Sequence, residues 1–254
     1  MITTYHRPKT LDEALTLLSQ PNRIPLGGGT LLSHSTADPV EVVDLQALRL
    51  DTIQKGGNNL VIGATVTLQQ LLESADCPDA LKSALRLEAP LNIRTAATVA
   101  GTLVSGDGRS TFATAMLALD TKLEQTKIDN SKIETRASNI GDFLPMRDLK
   151  GWLITNVSIS LNVKLAFDYV SRTPADKPIV CVALARWNSG RTRLALGGYG
   201  KNPLLAMDGT ESEGVETAAR NAFHEAADDY ASAEYRMDAA STLAGRCLKK
   251  LSSA

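Results

Sequence analysis

The chain predicts an α+β protein built in two parts, and three observations carry that prediction. Strand, helix, strand, hairpin and helices follow one another without the regular alternation that a parallel α/β sheet requires. The character changes after Gly151, where closely spaced strand-like runs precede two long helical stretches. Two glycine-bearing segments, Pro25-Leu26-Gly27-Gly28-Gly29-Thr30-Leu31-Leu32 and Ala97-Thr98-Val99-Ala100-Gly101-Thr102-Leu103-Val104, each follow or open an apolar run.

Residues 10–19 place Leu11, Ala14, Leu15 and Leu18 at helical spacing, with Thr10 as N-cap and Glu13 three places on, a capping-box pattern. Residues 23–26 read as a short strand, 27–30 as a turn and 31–35 as the start of a short helix. A second strand covers 40–45, with Asp44 placed for a turn contact at its end. Residues 50–55 and 59–63 flank Gly56-Gly57-Asn58, a hairpin signal. Helices follow at 67–73 and 79–87, then a polar, small-residue approach at 89–97. A helix at 111–119 precedes a strand pair at 121–126 and 132–135. Beyond Gly151, residues 153–161, 179–187 and 191–196 read as three strands, the last two joined by Asn188-Ser189-Gly190. Residues 213–226 and 232–251 are helical. A domain boundary is expected near 160–175, where 171–178 is polar and proline-bearing, and no repeat or low-complexity tract interrupts the chain.

At 254 residues the chain can bury one large core or two medium ones. A formal net charge of −1 gives no field to attract nucleic acid or an anionic membrane, and 4% aromatics supply no stacking platform for single strands. No apolar run spans a bilayer, and residues 1–10 lack the basic-then-apolar order of a signal peptide, so a cytoplasmic protein is expected. Cys77, Cys181 and Cys247 are too few and too scattered for a cysteine-ligated iron–sulfur cluster. His6, His34 and His224 form no zinc set. No metal ligand and no catalytic side chain is therefore assigned, and any metal redox centre is expected in another chain.

The three consecutive glycines allow positive φ and remove every Cβ that would hold a ligand away. Peptide N–H groups freed in this way can point at an anion, especially where a helix N-terminus follows. The strict Gly-x-Gly-x-x-Gly fingerprint is absent and no acidic residue follows in a clean βαβ unit, which argues against a simple NAD-binding Rossmann domain. Taken alone, the segment reads equally as a tight strand-to-helix turn. The second segment carries Arg94, Thr95 and Thr98 before Gly101, then Thr102, Ser105, Gly106, Asp107, Gly108, Arg109 and Ser110. Hydroxyls and small residues at this density suit close approach by a ligand, and the bland reading is a surface loop. Two such segments together suggest a dinucleotide whose pyrophosphate is gripped from both sides.

These residues carry a resemblance. The chain resembles the FAD-binding, medium subunit of the molybdenum hydroxylases, the family that includes carbon monoxide dehydrogenase and xanthine dehydrogenase. The matching pieces are Pro25-Leu26-Gly27-Gly28-Gly29-Thr30, Ile62-Gly63-Ala64-Thr65-Val66-Thr67, and Ile93-Arg94-Thr95-Ala96-Ala97-Thr98-Val99-Ala100-Gly101. Leu117-Ala118-Leu119-Asp120, Leu194-Ala195-Leu196-Gly197-Gly198 and Ala231-Ser232-Ala233-Glu234-Tyr235-Arg236 follow in the family's order, nearly from end to end. The resemblance implies a PCMH-like FAD-binding domain of two α+β subdomains over residues 1–165. A small domain with a three-stranded antiparallel sheet and helices would follow over 170–254.

It also implies FAD as cofactor, its pyrophosphate held by backbone amides of residues 27–31 and 98–102. The cofactor-binding positions it assigns are Leu26, Gly27, Gly28, Gly29, Thr30, Leu31, Thr98, Ala100, Gly101, Thr102 and Ser105. Asp107 is added for ribose or ribityl hydroxyls and Tyr169 for a face of the isoalloxazine, although a solvated loop acid and a half-buried junction tyrosine are equally open readings. Arg109 meets a phosphate or is a surface charge; Trp152 and Trp187 read as anchors, and residues 232–236 as packing and capping for the last helix. The implied role is electron transfer. A molybdopterin-containing large subunit oxidises the substrate, a 2Fe–2S small subunit relays electrons, and the flavin hands them to NAD, oxygen or another acceptor. Gly27 replaces the family's usual alanine, Leu31 a frequent polar residue, Ala100 a glycine, Thr102 an asparagine or serine, and Thr111 an aspartate. Those departures define the alternative: a member with weakened or lost flavin binding, acting as a scaffold or a standalone nucleotide-binding protein.

Overall fold

The computed structural model describes residues 2–253 apart from 33–38, 131, 148, 150 and 175. Most of the helix start expected at 31–35 lies outside the described residues; Leu31 and Leu32 themselves form a turn. The N-terminal unit contains β1 (Ile2–His6), α1 (Leu11–Leu18), β2 (Arg23–Leu26) and β3 (Val40–Asp44), with the strands in a parallel sheet of order β1-β3-β2. Thr10 caps α1 as its pattern requires, accepting from the Glu13 N–H at 3.2 Å. Asp44 makes the expected turn contact, its Oδ1 accepting from the Gln46 N–H at 2.9 Å. The β1 strand was not foreseen, because it is exposed along most of its length and has no apolar alternation to reveal it.

The second unit is a five-stranded antiparallel sheet of order β4-β5-β8-β6-β7. Its strands are β4 (Ile53–Gly56), β5 (Asn59–Gly63), β6 (Lys122–Asp129), β7 (Lys132–Asn139) and β8 (Leu153–Ser160). Six helices belong with it: α2 (Leu68–Glu73), α3 (Asp79–Glu88), α4 (Leu91–Arg94), α5 (Val99–Ser105), α6 (Thr111–Ala118) and α7 (Ile140–Met146). Every residue of α6 is buried, as a helix without a polar face must be. Its N-terminus is closed from within the molecule. The buried Glu88 carboxylate accepts from Phe112 N–H at 2.8 Å and from the Ser110 and Thr111 hydroxyls at 2.9 and 3.2 Å.

The C-terminal unit contains β9 (Val163–Val170), β10 (Val180–Trp187), β11 (Thr192–Gly197), β12 (Leu204–Gly209), α8 (Val215–Ala222) and α9 (Ala233–Ser253). Its antiparallel sheet has four strands in the order β12-β11-β10-β9, where three were expected. Residues 153–160 belong instead to the five-stranded sheet, between β5 and β6. The two edge strands explain the miscount. In β9 only Ala166 and Phe167 are buried, and β12 has no buried residue, so neither shows the apolar run of β10. The chain therefore passes between sheets at Leu161-Asn162, and β9 occupies residues that read as linker. Arg236 holds this unit together as a fully buried cation. It donates to the carbonyls of Ala226 and Ala231 at 2.7 and 2.9 Å and to Asp228 at 2.7 Å.

Beyond the apolar core they share, backbone and ionic contacts help tie the C-terminal sheet to the central unit. Gly108 N–H donates to the Gly200 carbonyl at 3.0 Å, and Gly198 N–H to the Gly108 carbonyl at 2.8 Å. Arg191, just before β11, and Arg193 on β11 share Asp208 on β12 and Asp120 just beyond α6, at 2.6–3.2 Å. The hydrogen bond from Arg191 holds the Asp208 carboxyl below its ordinary value, against the opposing effect of burial. A depressed folded-state value means the contribution is full above the unfolded-state value, about pH 4, and drains away as the pH falls further. Asp208→Asn should cost about 1 kcal/mol at neutral pH. The gap to the parent chain should close below about pH 4 in urea denaturation; a gap independent of pH would refute the ionic account.

Candidate functional site

The loop after β2 and the start of α5 come together backbone to backbone. A Cβ on Gly28 would lie 1.6 Å from the Ala96 carbonyl oxygen, so only glycine permits the approach. Gly29 takes φ of +70°, a left-handed turn that L side chains rarely adopt. Beside this contact lies a cleft of about 340 Å3. Gly27, Gly28, Gly29, Thr30 and Leu31 line one side, and Thr98, Ala100, Gly101 and Ser105 another. Ile24, Leu45, Val104, Leu149, Leu153 and Ile154 supply apolar walls. The two glycine segments, some seventy residues apart in the chain, thus share one cavity.

The donors are distributed unevenly between them. Val99 N–H donates to the Val66 carbonyl at 2.8 Å, and Ala100 N–H to the Ala64 carbonyl at 3.2 Å. Gly101 N–H is capped by the Thr98 hydroxyl at 3.2 Å, and Thr102 N–H makes the first helical bond to the Thr98 carbonyl at 2.9 Å. The expected grip by amides of residues 98–102 therefore needs correction: those of Val99 and Ala100 hold α5 onto the chain just beyond β5, and those of Gly101 and Thr102 are taken by Thr98 at the helix cap. Among the described residues no acceptor takes the N–H groups of Gly27, Gly28 or Gly29. The first segment is the donor side of the cleft, and the second is its floor.

Four assigned positions stand outside the cavity lining. Leu26 is the last residue of β2, its carbonyl accepting from Leu45 N–H at 3.0 Å. Thr102 is buried within α5, its hydroxyl returned to the Thr98 carbonyl at 2.8 Å. Asp107 closes a local turn, accepting from Arg109 N–H at 2.9 Å. Tyr169 is exposed on β9 and stacks on Phe167 at 6.3 Å between ring centroids. Thr111 is likewise buried, donating to the Ala84 carbonyl at 2.8 Å. Arg109 covers Tyr230, its guanidinium 4.2 Å from the ring centroid. Sequence reasoning missed the apolar walls at Leu149, Leu153 and Ile154. Residues 153 and 154 were legible as strand, but not the face they present.

The sequence profile of the FAD binding domain in molybdopterin dehydrogenase matches residues 1–159. The chain belongs to this family. Among similar proteins, YgfM of Escherichia coli (strain K12), itself uncharacterized, is 27% identical over 245 residues, 93% of this chain and 91% of its own. The carbon monoxide dehydrogenase medium chain of Afipia carboxidovorans is 30% identical over 140 residues, 51% of this chain and 48% of its own. Two solved structures share the fold. One is a Cu,Mo-containing CO dehydrogenase in its cyanide-inactivated form, with a TM-score of 0.82 at 23% identity, covering 98% of this chain and 97% of that one. The other is quinoline 2-oxidoreductase from Pseudomonas putida 86, with a TM-score of 0.80 at 22% identity, covering 97% of this chain and 95% of that one.

As a member of this FAD-binding family, the chain is a flavoprotein component of an oxidoreductase. The cleft fits such a ligand: unpaired amides at Gly27, Gly28 and Gly29 suit a diphosphate, and aliphatic walls suit the flat, apolar parts of a dinucleotide. Burial pushes the thiols of Cys77, Cys181 and Cys247 up to about 12, which makes them poor nucleophiles and poor metal ligands at neutral pH. Among the described residues no three His, Cys, Asp or Glu side chains converge on one point, and no helix is long and apolar enough to cross a membrane.

The two glycines should respond differently to alanine. Gly28→Ala must part the loops, because the obstructing atom is backbone, and should cost about 2 kcal/mol or more together with FAD uptake. Gly29→Ala strains one turn at about 1–2 kcal/mol while leaving the loops in contact. Thermal melts with and without FAD separate the two effects; equal responses would refute the close approach.

Proposed function

We propose that this chain is the electron-transferring flavin subunit of a molybdenum hydroxylase. In this reading residues 1–162 form the flavin domain and 163–254 a small domain packed against it. The observation that carries the reading is the row of unpaired amides at Gly27, Gly28 and Gly29 in the wall of a cleft floored by α5. Those amides hold the FAD pyrophosphate, with the positive end of α5 adding to the field. Gly101 and Thr98 set how deeply the diphosphate sits, since their own groups are already paired. Ser105, whose hydroxyl donates back to the Gly101 carbonyl at 2.8 Å, offers its lone pairs to the ligand. The aliphatic walls exclude water from the rest of the cofactor.

When bound, FAD supplies the redox chemistry, accepting electrons from the iron–sulfur clusters of a small subunit and releasing them to NAD, oxygen or another acceptor. A large subunit bearing molybdopterin carries out substrate oxidation. The family description and the name "medium chain" of the Afipia relative support this division of labour.

The full chain, purified with whatever it retains, should be yellow, with flavin absorbance near one equivalent per chain, or should take up added FAD to that level. It should also co-purify with a molybdopterin subunit and a 2Fe–2S subunit when the three are expressed together. Protein that stays colourless in excess FAD refutes the flavin subunit and favours the scaffold reading.

A further inference from the structure

Four hydroxyl-bearing side chains are found in the described lining of the cleft, those of Thr30, Thr65, Thr98 and Ser105. Three of them are engaged. The Thr98 hydroxyl accepts from Gly101 N–H at 3.2 Å, Ser105 donates to the Gly101 carbonyl at 2.8 Å, and Thr30 is not free. Thr65 differs. The residue is 9% exposed, yet among the described residues its hydroxyl meets no donor or acceptor. Nor is that oxygen sealed in the interior, as the unpaired Gln125 Nε2 and Ser138 Oγ are. What remains open to it is the cleft that the residue lines. An unpaired hydroxyl so nearly enclosed weakens the fold by itself, and a partner inside the cleft offsets that cost.

The backbone fixes where this hydroxyl stands. Thr65 N–H donates to the Leu50 carbonyl at 2.9 Å, and Ala64 N–H to the Thr155 carbonyl at 2.9 Å. The carbonyls on either side, those of Ala64 and Val66, accept from Ala100 and Val99 at 3.2 and 2.8 Å. Thr65 is therefore pinned beside the first turn of α5, in the floor of the cleft. The described lining carries no charged side chain, so an anion seated between the glycine loop and α5 is met by neutral donors alone. A diphosphate presents only acceptors, and a hydroxyl with no acceptor in the protein is a donor for it.

We infer that Thr65 is a cofactor-binding residue, its hydroxyl donating to the diphosphate of the FAD held in the cleft. The inference rests on the FAD reading above and adds a side-chain donor in the floor to the amides of the glycine loop. One oxygen atom should then matter to the complex and not to the fold.

The experiment uses the full chain and the variants Thr65→Val, which removes the hydroxyl at nearly constant shape, and Thr65→Ser, which keeps it. FAD affinity is read from quenching of flavin fluorescence, the diphosphate from phosphorus NMR of the bound cofactor, and stability from melting without cofactor. Thr65→Val should bind FAD about tenfold more weakly, as expected for a lost hydrogen bond to a charged group. Thr65→Ser should stay within about threefold of the parent. The phosphorus resonances should move in Thr65→Val while the flavin absorption bands keep their positions. Without FAD, Thr65→Val should melt at or above the parent temperature, because an unpaired polar atom has been removed. FAD affinity within about twofold of the parent in Thr65→Val overturns the inference and leaves the flavin reading standing. Unmoved phosphorus resonances overturn it too, by placing the contact elsewhere on the cofactor. So does a lower melting temperature of Thr65→Val without FAD, which would show that the hydroxyl serves the fold. A parent chain that binds no FAD overturns the flavin reading itself, and this inference with it.

Discussion

At Gly28 two backbones pass so closely that no side chain larger than hydrogen fits between them. This contact joins the parallel sheet of the N-terminal unit to the α4–α5 segment of the central unit. The neighbouring groups lock the same arrangement. Thr98 lies opposite Thr67 in an isolated antiparallel bridge, its hydroxyl caps Gly101, and a Cβ on Gly27 would meet that hydroxyl at 2.8 Å. The amides that open α5 are spent on Ala64 and Val66, in the chain leaving β5. The helix start is thus part of the joint between units, and the amides left over belong to the glycine loop facing it. The donor pattern of the cleft follows from how the units are joined.

The same logic extends to the C-terminal sheet. Gly106 ends α5, and two residues later Gly108 is clipped by backbone hydrogen bonds to the β11–β12 turn. Glu88 then supplies the negative charge that the next helix, α6, needs at its N-terminus, so that helix end is closed to any external anion. Helix α6 runs buried into the contact with β10 and β11, where Arg193 accepts the job of tying it down, donating to the Leu117 carbonyl at 3.1 Å. One stretch of about twenty residues, from Thr98 to Ala118, therefore links the cleft floor to the far sheet. The amides that open α5 along it are bonded within the protein, which leaves the first glycine loop as the open donor site.

Much of this was legible because the signals were local. The Thr10 cap, the helix at 67–73, the Gly56-Gly57-Asn58 hairpin and the apolar helix at 111–119 all depend on residues a few places apart, and each formed near its predicted bounds. The strands β1, β9 and β12 were not legible, since an edge or exposed strand lacks the buried alternation that periodicity detects. Helix α7 was hidden by Pro145 and by a left-handed arginine at its end, where glycine or asparagine is the usual stop signal. Both glycine loops were recognisable as a pair. Which of them keeps its amides free depends on carbonyls at residues 64 and 66, and no spacing rule connects those to residues 99 and 100. Asp107 and Tyr169 were placed by resemblance alone, and local turn bonding and strand position took them elsewhere.

Ala100 shows how a departure from the family pattern is accommodated. The residue stands inside the first turn of α5 with its N–H bonded to Ala64, so no positive φ is asked of it. In a helical position alanine is favoured over glycine by about 0.5–1 kcal/mol, because less backbone freedom is lost on folding. The methyl group adds apolar surface to the cleft floor without removing a donor, as the amide there is already engaged. Gly101 differs: a Cβ would lie 2.8 Å from the Thr98 hydroxyl that caps the helix. Substitution is therefore tolerated where the amide is bonded to a neighbouring chain segment, whereas a Cβ at Gly101 would need the capping Thr98 side chain to shift.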